Sequence, residues 1–195
     1  MSDSTANFDA ARRAMVASQL RPQGVTDARV LAAMGAVARE NHVPASQQAL
    51  AYGDRPLKLA DGSPMMPPAG LGLLLTRLAP MPGERALVVG GGGGGGYAAA
   101  LLRHIGLDVD TAPDGSALVD LILVEGAIEQ LPATLARRLS PDGRVGAAIV
   151  EDGVTRLATG RAAASPTGQS VGFTSFAEAQ VPVLPGFSSA PAFAF

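Results

Sequence analysis

The feature of this chain most able to do chemistry is a run of seven glycines, Gly90 to Gly96. It follows the apolar stretch Ala86-Leu87-Val88-Val89 and precedes Tyr97-Ala98-Ala99-Ala100-Leu101-Leu102. A buried strand, a glycine-rich turn and a helix start together make a nucleotide-type site. Glycines let the backbone turn sharply and approach a ligand closely, and the helix N-terminus offers free N–H groups. In such units an acidic residue about 20 positions beyond the first glycine grips ribose hydroxyls. Asp110 stands 20 positions after Gly90, with Asp108 beside it. Seven consecutive glycines satisfy almost any glycine template, so the flanking strand and helix carry the reading. The bland alternative is an entropically costly loop that binds nothing. Other chemistries are closed off. The chain has no cysteine, which excludes disulfides, thiolate zinc sites, Fe–S clusters and cysteine nucleophiles. Two histidines, His42 and His104, cannot build a multi-histidine metal site, so no metal is expected.

The elements that must position the loop are legible as periodicities. Residues 6–20 read as a helix through Phe8, Ala11, Met15 and Leu20, stopped by Arg21-Pro22-Gln23-Gly24. Thr26 can cap a second helix whose inner face is Val30, Leu31, Met34 and Val37. Residues 41–68 carry seven prolines and glycines and read as a long ordered loop, of the kind used as a lid or binding segment. Residues 69–79 return to helix. Beyond the glycines, Leu107–Thr111 and Leu121–Val124 suit strands, Pro132–Leu139 a helix and Arg144–Val150 another strand. Strand alternating with helix predicts an α/β sheet. Residues from about 153 to 195, with Phe173, Phe176, Phe187, Phe193 and Phe195, predict antiparallel strands at a sheet edge. The expected organisation is one domain over 1–195: N-terminal helices and a substrate-side loop to residue 80, a cofactor-binding core over 81–150, and the antiparallel end.

Composition agrees. The 195 residues carry 15 basic and 17 acidic side chains, a net charge of −2, which supplies no basic field for nucleic acid or anionic membrane. With 47% hydrophobic and 16% charged residues the chain can bury a core. No apolar run approaches the roughly 18 residues of a membrane span, and the first residues lack the pattern of a signal peptide. A cytoplasmic location is expected. Lys58 is the single lysine among 15 basic residues, read as the coding bias of a GC-rich bacterial genome.

An ordered series of segments resembles the protein-L-isoaspartate O-methyltransferase family. Arg13-Ala14-Met15-Val16 with Gln19-Leu20 resembles its first helix, and Val25–Met34 its second. Ala38-Arg39-Glu40-Asn41-His42-Val43-Pro44 is similar to its Pro-Arg-Glu-x-Phe-Val-Pro segment. Ala51-Tyr52-Gly53-Asp54-Arg55-Pro56-Leu57 is similar to its Ala-Tyr-x-Asp-x-Pro-Leu. Arg85–Tyr97 stands for its cofactor loop and Val119–Arg144 for its fourth strand, helix and turn. The resemblance implies a Rossmann-like class I methyltransferase fold with a shortened parallel sheet. It also implies S-adenosylmethionine as cofactor, bound by Gly90, Gly92, Gly94 and Asp110. The partner implied is a protein or peptide carrying isoaspartyl residues, methylated on a carboxylate.

Departures from the family pattern are local. The acidic residue of Leu-Glu-Ile-Gly-x-Gly-x-Gly-Tyr is Val88 here, and the loop is two glycines longer, with Gly95 and Gly96 read as the surplus. The substrate-loop serine position is held by Met66, leaving Ser63 as the nearest hydroxyl and the candidate catalytic residue, or an ordinary turn residue. Tyr52 and Asp54 match family positions, or serve packing. His42 replaces a phenylalanine, which suggests packing, and helix-end contact accounts for His104. Only eight residues, Ala112 to Val119, separate Thr111 from Asp120, where the family has a helix, a strand and a helix. A helical crossover needs a dozen or more. The third strand is therefore expected to be missing, or Leu107–Thr111 is not a parallel strand. Two alternatives to the methyltransferase remain: a catalytically inactive descendant acting as a binding or scaffold module, and a dinucleotide-binding oxidoreductase.

Overall fold

The N-terminal third is helical and ends where backbone chemistry dictates. The computed structural model describes residues 2–165 and 168–188. Helix α1 (Ser2–Met15) continues into one wide turn, Val16–Leu20, and Gly24 closes it with φ 93°. Helix α2 (Ala28–Ala36) is capped by Asp27 rather than Thr26. The Asp27 carboxylate accepts from the Arg29 amide at 2.8 Å and the Val30 amide at 3.3 Å. An anion complements the positive end of a helix better than a hydroxyl does. The proline-rich stretch that follows forms two short 3-10 turns, Arg39–His42 and Ala45–Leu50. A small antiparallel hairpin of β1 (Leu57–Lys58) and β2 (Pro64–Met65) completes it. Helix α3 (Pro68–Leu78) starts on a proline, whose missing N–H costs nothing at that position.

The central sheet holds β3 (Arg85–Gly90), β4 (Asp108–Asp110), β5 (Val119–Ile128), β6 (Leu139–Glu151), β7 (Val154–Ser165) and β8 (Gly168–Glu178). Their order is β4-β3-β5-β6-β7-β8, the first four parallel and the last two joined antiparallel. Helix α4 (Gly96–Ile105) links β3 to β4. Helix α5 (Ala133–Ala136) is a single turn, shorter than the Pro132–Leu139 helix the sequence suggests. The antiparallel end matches expectation, while Phe193 and Phe195 lie outside the described residues.

Leu107–Thr111 does contain a parallel strand, and among the described residues β4 is the sheet edge, with no third strand beyond it. The eight-residue return is short because β4 pairs only with Arg85–Leu87, so the chain has little height to retrace. Arg138 does the work of the missing helix. Its guanidinium donates to the Ala112 carbonyl at 2.9 Å, the Ala117 carbonyl at 2.8 Å and the Asp110 carboxylate at 2.6 Å, tying both ends of the crossover to one buried side chain.

Both sheet faces are covered. Val88, Leu121 and Leu123 pack with Leu71, Leu74, Leu75, Leu101 and Leu102 of the helices. Leu87, Val89, Ile122, Val124 and Val145 face the other way, against Leu135, Leu184 and Phe187. Val171 and Phe173 of β8 join this second cluster, so the twisted C-terminal hairpin helps to close that face. Burial on both sides is why the strands read as continuous apolar runs instead of alternating ones.

Candidate functional site

Strand order reverses between β3, which leads to β4 on one side, and β5, which leads to β6 on the other. Open α/β sheets bind ligands outside the carboxyl ends of the strands at such a point. The last rung here pairs Gly90 with Glu125, and the glycine loop leaves the sheet at that rung. Two glycines are demanded by close contacts. A Cβ on Gly96, at φ 50°, would sit 1.9 Å from the Gly91 carbonyl oxygen. A Cβ on Gly91, at φ 74°, would sit 2.2 Å from Glu125 Oε2. Above the loop lies a cleft of about 370 Å³ walled by Gly91, Gly92, Gly93 and Gly96, by His42 with its neighbours, and by Leu59 to Asp61. That volume is in the range of small-ligand sites. The backbone approach and the free helix start suit the methionine-like half of a nucleoside cofactor.

Of the residues singled out by sequence, Gly92 lines this cleft, while Gly90 ends β3 behind it. Gly94 stands in open space with Gly93, and both are exposed. Gly95 is buried, its missing Cβ replaced by Thr111 at 2.8 Å and Ala99 at 2.9 Å. The loop's spare length therefore lies at Gly93 and Gly94, and not at Gly95 and Gly96 as the alignment suggests. Asp110 ends β4 beside the loop. Its carboxylate accepts from Arg138 and from the Ala112 amide at 2.9 Å, and these hydrogen bonds hold it below the usual carboxylate range. Ser63 is buried at the hairpin turn, where its Oγ donates to Asp61 Oδ1 at 2.6 Å.

The family-matched loop residues serve as ties. Tyr52 donates its hydroxyl to Glu40 and accepts from Arg12 Nε at 2.9 Å, while Arg12 Nη2 donates to Glu40 at 2.9 Å. Burial, with the Glu40 contact, pushes the Tyr52 phenol up to about 12. Asp54 accepts from the Ala69 amide at 3.1 Å and from Gln23 at 2.8 Å, pinning the start of α3. His42 lies on the cleft wall with its ring 5.7 Å from that of Tyr97, and burial lowers its pKa. His104 is an exposed residue in the last turn of α4.

Sequence reasoning missed the charged cluster under the loop. Glu125 is fully buried. Between Leu123 and Ala127 the register of β5 slips against β6, while its pairing with β3 stays regular through Glu125. Alternation along β5 keeps Glu125 on the face of Leu121 and Leu123, toward Met66. Glu125 Oε1 accepts from the Met66 amide at 3.3 Å, and Oε2 has no hydrogen-bond partner. Burial pushes this carboxyl up to about 7, against the opposing pull of Arg39 and of the Met66 and Ala98 amides. Arg39, also fully buried, donates to the Ala51 carbonyl at 2.7 Å and the Met66 carbonyl at 2.6 Å. Its guanidinium lies 4.9 Å from the centre of the Tyr97 ring. Met66, at the family serine position, thus has its N–H held by Glu125 and its carbonyl by Arg39. A lone acid in Leu-Val-Glu-Gly-Ala was the available signal, hidden because an apolar strand predicts no buried charge.

A doubly wound sheet with a glycine loop at its switch point defines a Rossmann-like cofactor-binding α/β protein. The sequence profile described as Protein-L-isoaspartate(D-aspartate) O-methyltransferase matches residues 11–112. A protein-L-isoaspartate O-methyltransferase of Methylorubrum populi is 36% identical over 166 positions, covering 70% of this chain and 78% of the relative. Another, from an Anaeromyxobacter species, is 34% identical over 166 positions, covering 69% and 68%. The chain belongs to the protein-L-isoaspartate O-methyltransferase family. In fold it is similar to a Plasmodium falciparum protein of that description solved with S-adenosyl-L-homocysteine, with a TM-score of 0.68, 18% identity, and coverage of 89% of this chain and 97% of the other. The profile match stops at Ala112, where the shortened crossover begins. The Methylorubrum alignment covers about 137 residues here (0.70 × 195), so about 29 of its 166 positions are present in the relative alone.

Proposed function

We propose that this protein transfers a methyl group from S-adenosylmethionine to the carboxylate of isoaspartyl residues in damaged proteins. The observation that carries the reading is the glycine loop, opening on a cleft at the β3/β5 switch point in a chain of this family. The cofactor, when bound, supplies a methyl already activated on a sulfonium. The chain's own task is then proximity and alignment. An acceptor carboxylate is ionised at neutral pH and needs no general base, so methionine at position 66 is compatible with turnover. On this reading Gly92 meets the donor, with Gly90 and Gly94 shaping the loop to either side of it. Asp110 serves the ribose side while shared with Arg138, and Ser63, the hydroxyl nearest to Met66 in sequence, is the candidate on the acceptor side. Among the described residues no helix is long and apolar enough to cross a membrane. The setting that goes with this reading is the cytoplasm of a bacterium.

The test is calorimetry with S-adenosylmethionine, followed by methyl transfer to an isoaspartyl peptide and its normal aspartyl counterpart. Saturable binding and transfer to the isoaspartyl peptide alone are expected. Binding without transfer would support an inactive descendant, and no heat at millimolar cofactor would remove the cofactor reading altogether.

A further inference from the structure

The carboxylate beneath the glycine loop leaves one of its oxygens without a hydrogen bond. Glu125 Oε1 is tied to the Met66 amide, which fixes the side chain, while Oε2 is buried, unpartnered and pressed against Gly91, a wall of the cleft. A buried polar atom left without a partner costs free energy, and such atoms in native structures ask for an explanation. Alternation along β5 aims the carboxylate there, on the face of Leu121 and Leu123. The nearest buried cation, Arg39, donates to the Ala51 and Met66 carbonyls through Nε and Nη2 and leaves Nη1 without a hydrogen-bond partner, so it acts on Glu125 through its charge, alongside the Met66 and Ala98 amides, and not through a hydrogen bond. Tyr97, fully buried beside them, has an unpartnered hydroxyl that burial keeps neutral. Asp61, also on the cleft wall, is exposed, and water screens its charge.

A glycine loop that cradles phosphate gathers N–H groups and cations and would be weakened by an anion behind its backbone. We infer that Glu125 sets the charge preference of the glycine-loop cleft, favouring a cationic sulfonium donor over the neutral thioether product left after methyl transfer. This rests on the methyltransferase reading above. Val88, where the family carries its acid, is apolar here. Glu125, one strand across on the same sheet face, places a carboxylate beneath the loop from a different position.

S-adenosylmethionine and S-adenosylhomocysteine share their adenosine, ammonium and carboxylate groups. They differ by one methyl and one unit of charge on sulfur, so the ratio of their affinities isolates the sulfonium. Calorimetry at pH 8.5, where the Glu125 carboxylate is ionised, should be run on the full chain, on Glu125→Gln and on Glu125→Asp. A full charge within about 12 Å, at an effective dielectric near 20, moves an equilibrium about tenfold. The affinity ratio, donor over product, is therefore expected to fall about tenfold in E125Q and to stay within about twofold of the parent in E125D. General loosening of the loop weakens both ligands alike and leaves the ratio unmoved. If both ligands bind and the E125Q ratio stays within about twofold of the parent, the inference is overturned while the methyltransferase reading stands. If neither ligand binds the parent protein, both fall.

Discussion

Replacing Glu125 with glutamine should remove a specific part of the protein's pH dependence. The carboxyl rises from about 4.5 in the unfolded chain to about 7 in the folded one, chiefly through burial. A group whose folded pKa is raised holds its proton longer in the native state. Its stabilising contribution is complete below the unfolded pKa and is lost as pH climbs through the folded one. The full span is about 2.5 units at about 1.4 kcal/mol each, or roughly 3 kcal/mol, of which about 2–3 kcal/mol falls between pH 5 and pH 8. Glutamine keeps the size and an acceptor for the Met66 amide but cannot ionise. Urea unfolding of parent and E125Q, measured every half unit from pH 5 to 8.5, should show the parent losing about 2–3 kcal/mol relative to the variant as pH rises. The sign is part of the prediction. A difference that stays flat within about 0.5 kcal/mol, or one that runs the other way, would refute the reasoning and place the carboxylate in contact with water or with a tighter partner.

Three further outcomes follow from the geometry. Deleting Gly93 and Gly94 together should leave the melting temperature unchanged or higher, because both are exposed and open space surrounds the Cβ position of each, whereas Gly96→Ala should destabilise by about 2 kcal/mol or more, since its Cβ meets the Gly91 carbonyl; thermal melts of the two variants decide. Arg138→Ala removes a buried guanidinium that serves two carbonyls and Asp110, and urea titration should report a loss of about 2–4 kcal/mol. A loss under about 0.5 kcal/mol would mean the crossover holds itself. Gly90→Val, at φ 87° with its Cβ 2.9 Å from the Glu125 carbonyl oxygen, should abolish cofactor binding by calorimetry and lower stability. Undiminished binding would detach the loop from the site.

The local chemistry of the chain determined most of the elements, and it did so where one short-range rule sufficed. Apolar runs at 86–89 and 121–124 are strands because both faces are covered, and Pro22 and Gly24 end the first helix. The eight residues after Thr111 leave no room for the family's helix, strand and helix, which left either a missing third strand or a Leu107–Thr111 that is not a parallel strand, and only the pairing of β4 with β3 decided for the first. The glycine loop announced itself by composition. What the sequence could not decide is which of those glycines are under compulsion. That depends on atoms brought from elsewhere: the Gly91 carbonyl over Gly96, Thr111 over Gly95, and only solvent over Gly93 and Gly94. The roles of Tyr52 and Asp54 were equally undecidable, because Glu40, Arg12 and the Ala69 amide reach them only once the helices pack. Glu125 is the sharpest case. In sequence it is one acid in an apolar strand; pairing of β5 with β3, which sets Glu125 opposite Gly90, a property of two strands and of neither alone, puts it beneath the loop. Short-range sterics and hydrophobic patterning are written residue by residue, whereas burial, partner choice and the field inside a cleft exist only after distant segments share the same few ångströms.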